Sequence, residues 1–306
     1  MKKLAAVLMA SVMVLGMVGC GSKEAPATEA PAETTDAATE TEGTDAATEE
    51  VAGTDTAEST EAVGDESART QLIVGFDAEY PPYGYQDDNG EYVGFDLSLA
   101  QEVCDRNGWE LIKQPINWDS KDLELNSGSI DCIWNGFTLT GRENDYTWSE
   151  PYVDNSIVVV VNTDSDVQAK ADLAGKVVAT QSGSSALTAL TDDSEGNEEN
   201  IALAGTFAEL QEIADYNTAF MNLEAGAIDA IAVDIGVAKY QLESREGAFR
   251  MLEEPISTEQ YGIGFKLGNE SLRDAVMKTL NEMVADGTFA KIAEEWELSD
   301  MVCLGE

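Results

Sequence analysis

The chain has 306 residues, of which 59 are acidic and 17 are basic, so its formal net charge at pH 7 is −42. A charge this negative disfavours nucleic acids and anionic membrane surfaces as binding partners. The chain has no histidine, which excludes Ser-His-Asp triads, Cys-His pairs and histidine-ligated metals, and its four cysteines lack paired metal-ligand spacing. We therefore expect neither a metal nor a cofactor.

Residues 1–19 have the organisation of a signal peptide. Lys2 and Lys3 form a positive start, residues 4–18 are apolar, and Gly19 precedes Cys20. The apolar stretch is too short for a stable membrane span. Its end resembles a bacterial lipobox, which implies cleavage before Cys20, lipidation of its sulfur and attachment to the outer face of a membrane through acyl chains alone. The alternative is ordinary secretory cleavage that leaves Cys20 as a free thiol.

Residues 20–69 differ sharply in composition from the rest of the chain. Ala, Thr, Glu, Asp, Pro and Gly dominate, and aromatic residues are missing. Such a stretch cannot bury enough apolar surface to offset the entropy of ordering it. We expect a disordered acidic tether behind the lipidated cysteine, with an r.m.s. reach on the order of 40 Å.

From residue 70 onward, strand-like and helix-like runs alternate. The predicted strands are 72–76, 110–114, 130–134, 157–161, 176–180, 230–233 and 261–265. The predicted helices are 97–107, 119–126, 184–190, 216–225, 235–244, 272–286 and 289–296, and residues 192–200 are predicted to form an acidic loop. The run 157–161 is continuously β-branched, as expected of a strand buried on both faces. The alternation implies parallel sheets in an α/β fold.

Six motifs in this part of the chain occur in a recognisable order. Residues 74–96 read VGFDAEYPPYGYQDDNGEYVGFD, and the others are GSIDC at 128–132, WSEPY at 148–152, LAGKVVA at 173–179, GAIDA at 226–230 and ADGTF at 285–289. In this order the chain resembles the bacterial extracellular solute-binding proteins of family 3, the polar amino-acid binding lipoproteins of ABC importers. The resemblance covers residues 72–298.

The resemblance implies a type II periplasmic-binding-protein fold, with two lobes, two hinge crossovers and the ligand in the cleft between the lobes. The first lobe would comprise residues 70–155 and 257–306, and the second lobe residues 156–256. We expect the crossings near residues 153–157 and 254–260.

The function implied is extracellular binding of a polar amino acid and its delivery to the permease subunits of an ABC importer. The protein would be a monomer held to the membrane by its lipid, and it would not be an enzyme. Two other functions stay open at this point. One is catalysis on the same fold, of the arogenate or prephenate dehydratase type, with Asp77 or Glu79 as general acid. The other is ligand sensing for a separate receptor.

An amino-acid site needs a cation, an anion and a shaped wall. Arg142 closely follows a predicted buried strand, and its planar fork suits a carboxylate. The family pattern places this arginine one residue further from the threonine that matches Thr138, so the loop is shorter here. The alternative is a solvated surface arginine. Gly136 and Thr138 would add main-chain groups and a hydroxyl from the first lobe.

Asp234 is the candidate partner for the ligand's ammonium group. It ends a predicted apolar strand and directly precedes a helix, so it could equally serve as a helix N-cap. Gln181, Ser184 and Ser185 lie in the turn before another helix, where backbone N–H groups could bind the ligand's carboxylate.

Tyr80 and Trp118 are expected to form the walls of the site, with their rings on either side of the ligand's side chain. The family pattern places Asp77 near the end of that side chain. This arrangement favours neutral polar or cationic amino acids, with cystine still open. Tyr83, Tyr85 and Trp134 are expected in the core or at the rim.

The cysteines of the globular part are expected to be structural. Cys104 and Cys132 lie on apolar faces and should be small core residues. In an exported protein, two of Cys104, Cys132 and Cys303 could also form a disulfide, and the sequence does not identify the pair.

Overall fold

The computed structural model describes residues 66–305. The signal peptide, Cys20 and nearly all of the tether lie outside the described residues, so those expectations remain predictions. Within residues 66–305, every helix is too short or too polar to cross a bilayer.

The described chain contains fourteen strands and eight α-helices. The strands are β1 (Gln71–Phe76), β2 (Glu79–Tyr80), β3 (Gly84–Gln86), β4 (Tyr92–Val93), β5 (Glu110–Pro115), β6 (Cys132–Ile133), β7 (Thr147–Trp148), β8 (Val153–Asn162), β9 (Val177–Gln181), β10 (Glu209–Ile213), β11 (Ala230–Asp234), β12 (Phe249–Met251), β13 (Ser257–Tyr261) and β14 (Gly264–Phe265). The helices are α1 (Phe95–Asn107), α2 (Lys121–Ser127), α3 (Ser185–Thr191), α4 (Glu198–Ala204), α5 (Tyr216–Glu224), α6 (Ile235–Ser244), α7 (Glu270–Asp286) and α8 (Thr288–Glu295).

The strands form two main sheets, each the centre of one lobe. The sheet of the first lobe has the order β5-β1-β6-β14-β7, and that of the second lobe has the order β10-β9-β11-β8-β12. In the first sheet β1 is parallel to β5 and β6, while β14 is antiparallel to β6 and β7. In the second sheet β9 is parallel to β10 and β11, while β8 is antiparallel to β11 and β12. A small sheet, β2-β3-β4, accompanies the first lobe.

Two strands carry the chain between the lobes. β13 pairs antiparallel with the first half of β8, from Ser257 opposite Ile157 to Tyr261 opposite Val153. The two expected hinge crossings, near residues 153–157 and 254–260, fall within or beside these segments and stay a prediction. Because the two crossings are hydrogen-bonded side by side, a bend in one must be accompanied by a bend in the other.

β8 is buried on both faces, as its β-branched run predicts. Val158 and Val160 belong to one apolar cluster, whereas Ile157, Val159 and Val161 belong to another. Burying alternate residues on opposite sides lets one strand support helices on both faces of the second sheet.

Several sequence expectations are corrected by the structure. The sheets are mixed rather than parallel, because β8 and β14 run antiparallel to their neighbours as the chain crosses between lobes. The single strand expected at 261–265 is two strands in different sheets, with Gly262 at the crossing. The loop expected at 192–200 already contains the start of α4, and β10 and β12 are among the strands that were not expected from the sequence.

The core residues named from the sequence are found as expected. Cys104 and Cys132 are fully buried free thiols, so no disulfide joins that pair. Tyr83 and Trp134 are fully buried, and Tyr85 is partly exposed near the lobe interface, with its ring centroid 5.5 Å from that of Tyr240.

Candidate functional site

A narrow cleft lies between the lobes, where the carboxyl ends of β1, β6, β9 and β11 approach each other. This edge is the usual ligand position in open α/β sheets. The cavity that this cleft encloses has a volume of only about 10 Å³, measured at the centres of water-sized spheres. Its walls are formed by Tyr80, Trp118, Asn135, Gly136, Thr138, Arg142, Gln181, Ser184, Ser185 and Asp234. All the expected ligand contacts except Asp77 therefore line one cleft, and Asn135 is an addition that the sequence analysis missed.

Arg142 supplies positive charge to the wall of this cleft. Its guanidinium lies 5.3 Å from the centroid of the Phe137 ring, and Nη1 donates to the carbonyl of Thr138 at 3.2 Å. Trp148 Nε1 donates to the carbonyl of Arg142 at 2.9 Å, which fixes the shortened loop. Arg142 has no partner in any ion pair found among residues 66–305. A guanidinium without an acidic partner leaves its outer N–H groups available to a carboxylate.

Asp234 supplies negative charge from the second lobe. It ends β11, is 2 % exposed, and its Oδ1 accepts from Asn155 Nδ2 at 2.7 Å and, in a very short bond, from the hydroxyl of Tyr261. Burial raises the pKa of Asp234, and these hydrogen bonds oppose the shift. The side chain does not cap α6, so the helix-cap alternative is not realised.

A second buried carboxylate, Glu259, stands beside Asp234 and was missed by the sequence analysis. It lies on β13, and the same Asn155 amide donates to its Oε1 at 2.8 Å. Oε1 also accepts from Thr138 Oγ1 at 2.7 Å and from Ser185 Oγ at 3.0 Å. Burial and the nearby charge of Asp234 raise the pKa of Glu259 to about 7. No sequence signal marked this residue, because the hinge strand is short and polar.

Asp77 is held differently from the expectation. It follows β1 and is buried, but it is not part of the cleft wall. Its Oδ2 accepts from Gln181 Nε2 of the other lobe at 2.6 Å, and its Oδ1 accepts from the backbone N–H of Glu79 at 2.9 Å. Burial raises its pKa. In this conformation Asp77 therefore ties the lobes together instead of facing open space, because Gln181 occupies its free oxygen.

Two further hydrogen bonds join the lobes across the cleft, besides the one between Gln181 and Asp77. Asn217 Nδ2 donates to Glu79 in a very short bond, and Lys121 Nζ donates to the carbonyl of Gly183 at 3.3 Å. The lobes are thus closed on each other, which accounts for the narrowness of the cleft.

Tyr80 and Trp118 contribute two aromatic side chains to the wall of the cleft. The Tyr80 ring lies 6.0 Å from the ring of Tyr216, and its hydroxyl is 3.4 Å from that of Tyr261. Trp118 packs edge-on against Phe137 at 5.5 Å. Rings fixed in this way offer flat apolar surfaces to a bound side chain.

Gly136 is required where the chain leaves β6. Its φ is +56°, and a Cβ atom there would lie 2.9 Å from Tyr80 Cε1 and 3.0 Å from Tyr261 Cε2. Its N–H donates to Asp96 Oδ2 at 2.6 Å, so that group is already used by the protein.

The side chains in the turn before α3 also form hydrogen bonds within the protein. Ser184 caps the helix, accepting from the backbone N–H of Leu187 at 3.1 Å and donating to the carbonyl of Gln181 at 2.7 Å. Its hydroxyl therefore positions the turn, and Ser185 donates to Glu259 as described above.

The chain is similar to proteins of one known family. The family model described as "Bacterial extracellular solute-binding proteins, family 3" matches residues 72–299. The L-cystine-binding protein TcyJ of Escherichia coli strain K12 is 29 % identical over 236 residues, covering 76 % of this chain and 85 % of TcyJ.

Two solved structures of amino-acid-bound proteins are similar to this chain. Tv2483 bound to L-arginine aligns with a TM-score of 0.72 and 28 % identity, covering 79 % of this chain and 96 % of that chain. A substrate-binding protein of an ABC uptake transporter from Streptococcus pneumoniae, with bound histidine, aligns with a TM-score of 0.69 and 30 % identity, covering 74 % and 92 %. The chain therefore belongs to the bacterial extracellular solute-binding proteins of family 3.

Proposed function

We propose that this protein binds a polar α-amino acid between its lobes and delivers it to the permease subunits of an ABC importer. The observation that carries the proposal is the pairing of charges in one cleft: Arg142, without an acidic partner, in one wall and the buried Asp234 in another. The two charged groups of a zwitterionic amino acid complement these side chains. The relatives named above bind cystine, arginine and histidine, so these are the first ligands to test.

Each predicted contact has a role in this proposal. Arg142 grips the ligand's carboxylate together with Ser185 and the turn at Ser184, and Asp234 accepts from its ammonium group. Tyr80 and Trp118 cover the ligand's side chain, and Asp77 with Gln181 closes the end of the site where that side chain lies. Gly136 and Thr138 complete the wall of the first lobe.

Closure of the lobes is the proposed working motion. The first lobe comprises residues 70–155 and 257–306, the second comprises residues 156–256, and β8 and β13 bend between them. A ligand that contacts both lobes stabilises the closed form, which is the form the permease would recognise. No bond of the ligand is broken in this cycle.

We further propose that the mature protein begins at Cys20, is a monomer, and is held to the extracellular face of the cell membrane by lipid on that cysteine. The acidic tether would let the lobes reach the permease. Replacing Cys20 by Ala should release the protein into the medium, and metabolic labelling with a fatty acid should show lipid on the parent protein and none on the variant. Equal labelling of both proteins would contradict lipidation at Cys20.

Calorimetric titration with the common L-amino acids and L-cystine tests the binding function. We expect one or a few to bind and to raise the melting temperature, because they bind the folded state selectively. Failure of all of them would contradict the proposal. Incubation with arogenate and prephenate tests the catalytic alternative, and we expect no turnover, since the relatives named above are binding proteins.

Arg142→Ala should weaken binding by at least about 100-fold, because a ligand carboxylate would lose its bidentate partner in a desolvated site. Lys291→Ala is the matched control, since Lys291 is an exposed cation paired only with Glu295 on α8. Arg142→Ala with the affinity of the parent protein would show that the carboxylate binds elsewhere.

A further inference from the structure

Glu259 and Asp234 form a pair of buried acids without a cation. They are 8 % and 2 % exposed, and one Asn155 amide nitrogen donates to both, at 2.8 Å and 2.7 Å. The two accepting oxygens therefore flank one amide nitrogen, and the two carboxylates are close neighbours. Neither acid belongs to an ion pair found among residues 66–305.

The position of Glu259 differs from that of an ordinary buried structural acid. Its three donors come from three parts of the protein: Thr138 from the first lobe, Asn155 from the crossing strand β8, and Ser185 from the second lobe. Glu259 thus sits where both lobes and the hinge meet, beside residues of the cleft wall. All three bonds end on Oε1, so Oε2 receives none of them.

The titratable groups that act on Glu259 are one carboxylate and two phenols. Asp234 faces it from β11, and the phenols of Tyr83 and Tyr261 interact with it electrostatically. The cation nearby is Arg142, which lines a crevice together with Glu259 but makes no ion pair with it. Two neighbouring carboxylates that are buried and lack a paired cation repel each other, so ionising both costs much free energy. One proton shared by the pair relieves the repulsion.

We propose that Glu259 joins Asp234 in holding the ligand's ammonium group, and that binding expels to solvent the proton that the two carboxylates keep in the empty cleft. This inference rests on the proposed function and adds to it a second acidic contact and a proton linkage. The incoming ammonium group replaces the proton as the positive partner of the pair. With two acids, the cleft discriminates more strongly against ligands that lack a free α-amino group than it would with one acid.

The sign of the linkage follows from the pKa of Glu259, which burial between the closed lobes and the charge of Asp234 raise to about 7. Below that pH a proton must leave before the ammonium group binds, so affinity falls as the pH is lowered. The association constant should rise up to tenfold per pH unit from pH 5.5 to 7, and level off above pH 7.

Calorimetry with L-arginine, L-glutamine and L-cystine at pH 6.0, in two buffers of different ionisation enthalpy, measures the proton directly. The parent protein should release close to one proton per bound ligand at pH 6.0 and nearly none at pH 8.5. Glu259→Gln keeps an acceptor for Thr138, Asn155 and Ser185 but removes the charge. We expect this variant to lose most of the proton release and about tenfold of the affinity at pH 8.

Glu254→Gln is the matched control, because Glu254 is an exposed acid near the same crossing, paired with Lys170 at 2.9 Å. Its proton release should equal that of the parent protein. Equal proton release by Glu259→Gln, or an affinity of the parent protein that is constant from pH 5.5 to 8, would overturn this inference and leave amino-acid binding intact. If none of the common L-amino acids nor L-cystine binds, the proposed function falls and this inference falls with it.

Discussion

Asp96 joins the wall of the cleft to the core of the first lobe. It is fully buried in the first turn of α1, and its Oδ2 accepts from the N–H of Gly136 at 2.6 Å and from the hydroxyl of Tyr152 at 2.9 Å. Its Oδ1 accepts no hydrogen bond from any group of residues 66–305. Burial raises the pKa of Asp96 to about 7, against the lowering effect of the two hydrogen bonds. Asp96 thus holds Gly136 in place, but burying its charged form lowers the free energy of unfolding by an amount that depends on pH.

The pH dependence of this cost can be predicted. The folded-state pKa of Asp96 lies above its unfolded value near 3.9, so rising pH from 4 to 7 deprotonates the unfolded chain first and lowers the free energy of unfolding. Asp96→Asn keeps an accepting oxygen and removes the charge. Its unfolding free energy relative to the parent protein should therefore increase by about 2–4 kcal/mol from pH 4 to pH 8.

Urea unfolding at several pH values checks this prediction. Asp105→Asn, an exposed change on the same helix, serves as the control and should shift stability equally at every pH. A difference between Asp96→Asn and the parent protein that stays constant with pH would mean that the pKa of Asp96 is the same in the folded and unfolded states.

At the scale of elements, the sequence predicted those parts whose pattern reflects burial. β8 was predictable because its β-branched residues are buried on both faces, and Asp234 because a buried strand ends there. β10 is half exposed at an edge of the second sheet, and α4 buries none of its residues fully, so neither shows a clear apolar period. Glu259 escaped prediction for a related reason: its burial comes from two lobes meeting over a short polar strand, which no local pattern encodes.

The start of α6 gives a prediction about closure. Gly236 of the second lobe faces Tyr83 of the first, and a Cβ at position 236 would lie 2.3 Å from the Tyr83 hydroxyl oxygen. Gly236→Ala should therefore hold the lobes apart and weaken ligand binding by about tenfold or more, while each lobe stays folded. Calorimetry measures the affinity, and small-angle scattering shows whether the ligand still reduces the radius of gyration.

Gly205→Ala is the matched control for this change. Gly205 also lies in the second lobe, has a negative φ of −62°, and would bring a Cβ no closer than 3.4 Å to a neighbour. Its ligand affinity should equal that of the parent protein. Parent-like affinity in Gly236→Ala as well would show that the Tyr83 contact is not needed for the bound state.

At the scale of the whole molecule, repulsion among acids works against the fold. Residues 66–306 carry 46 acidic and 14 basic side chains, so most of the negative charge belongs to the globular part rather than to the tether. The ion pairs of the described residues are mostly exposed or half-buried, and such pairs contribute little each. A net charge this far from zero destabilises the compact state, and salt screens it.

Added salt should therefore stabilise this protein. We expect the melting temperature of the ligand-free protein at pH 7.5 to rise by several degrees between about 10 and 300 mM NaCl, as the Debye length falls from about 30 Å to below 8 Å. Sucrose of equal osmolality controls for effects unrelated to charge. For a cationic ligand such as L-arginine, the association rate should fall over the same range, because the negative field that steers it is screened as well. A melting temperature that falls with salt would mean that the ion pairs outweigh the repulsion among the unpaired acids.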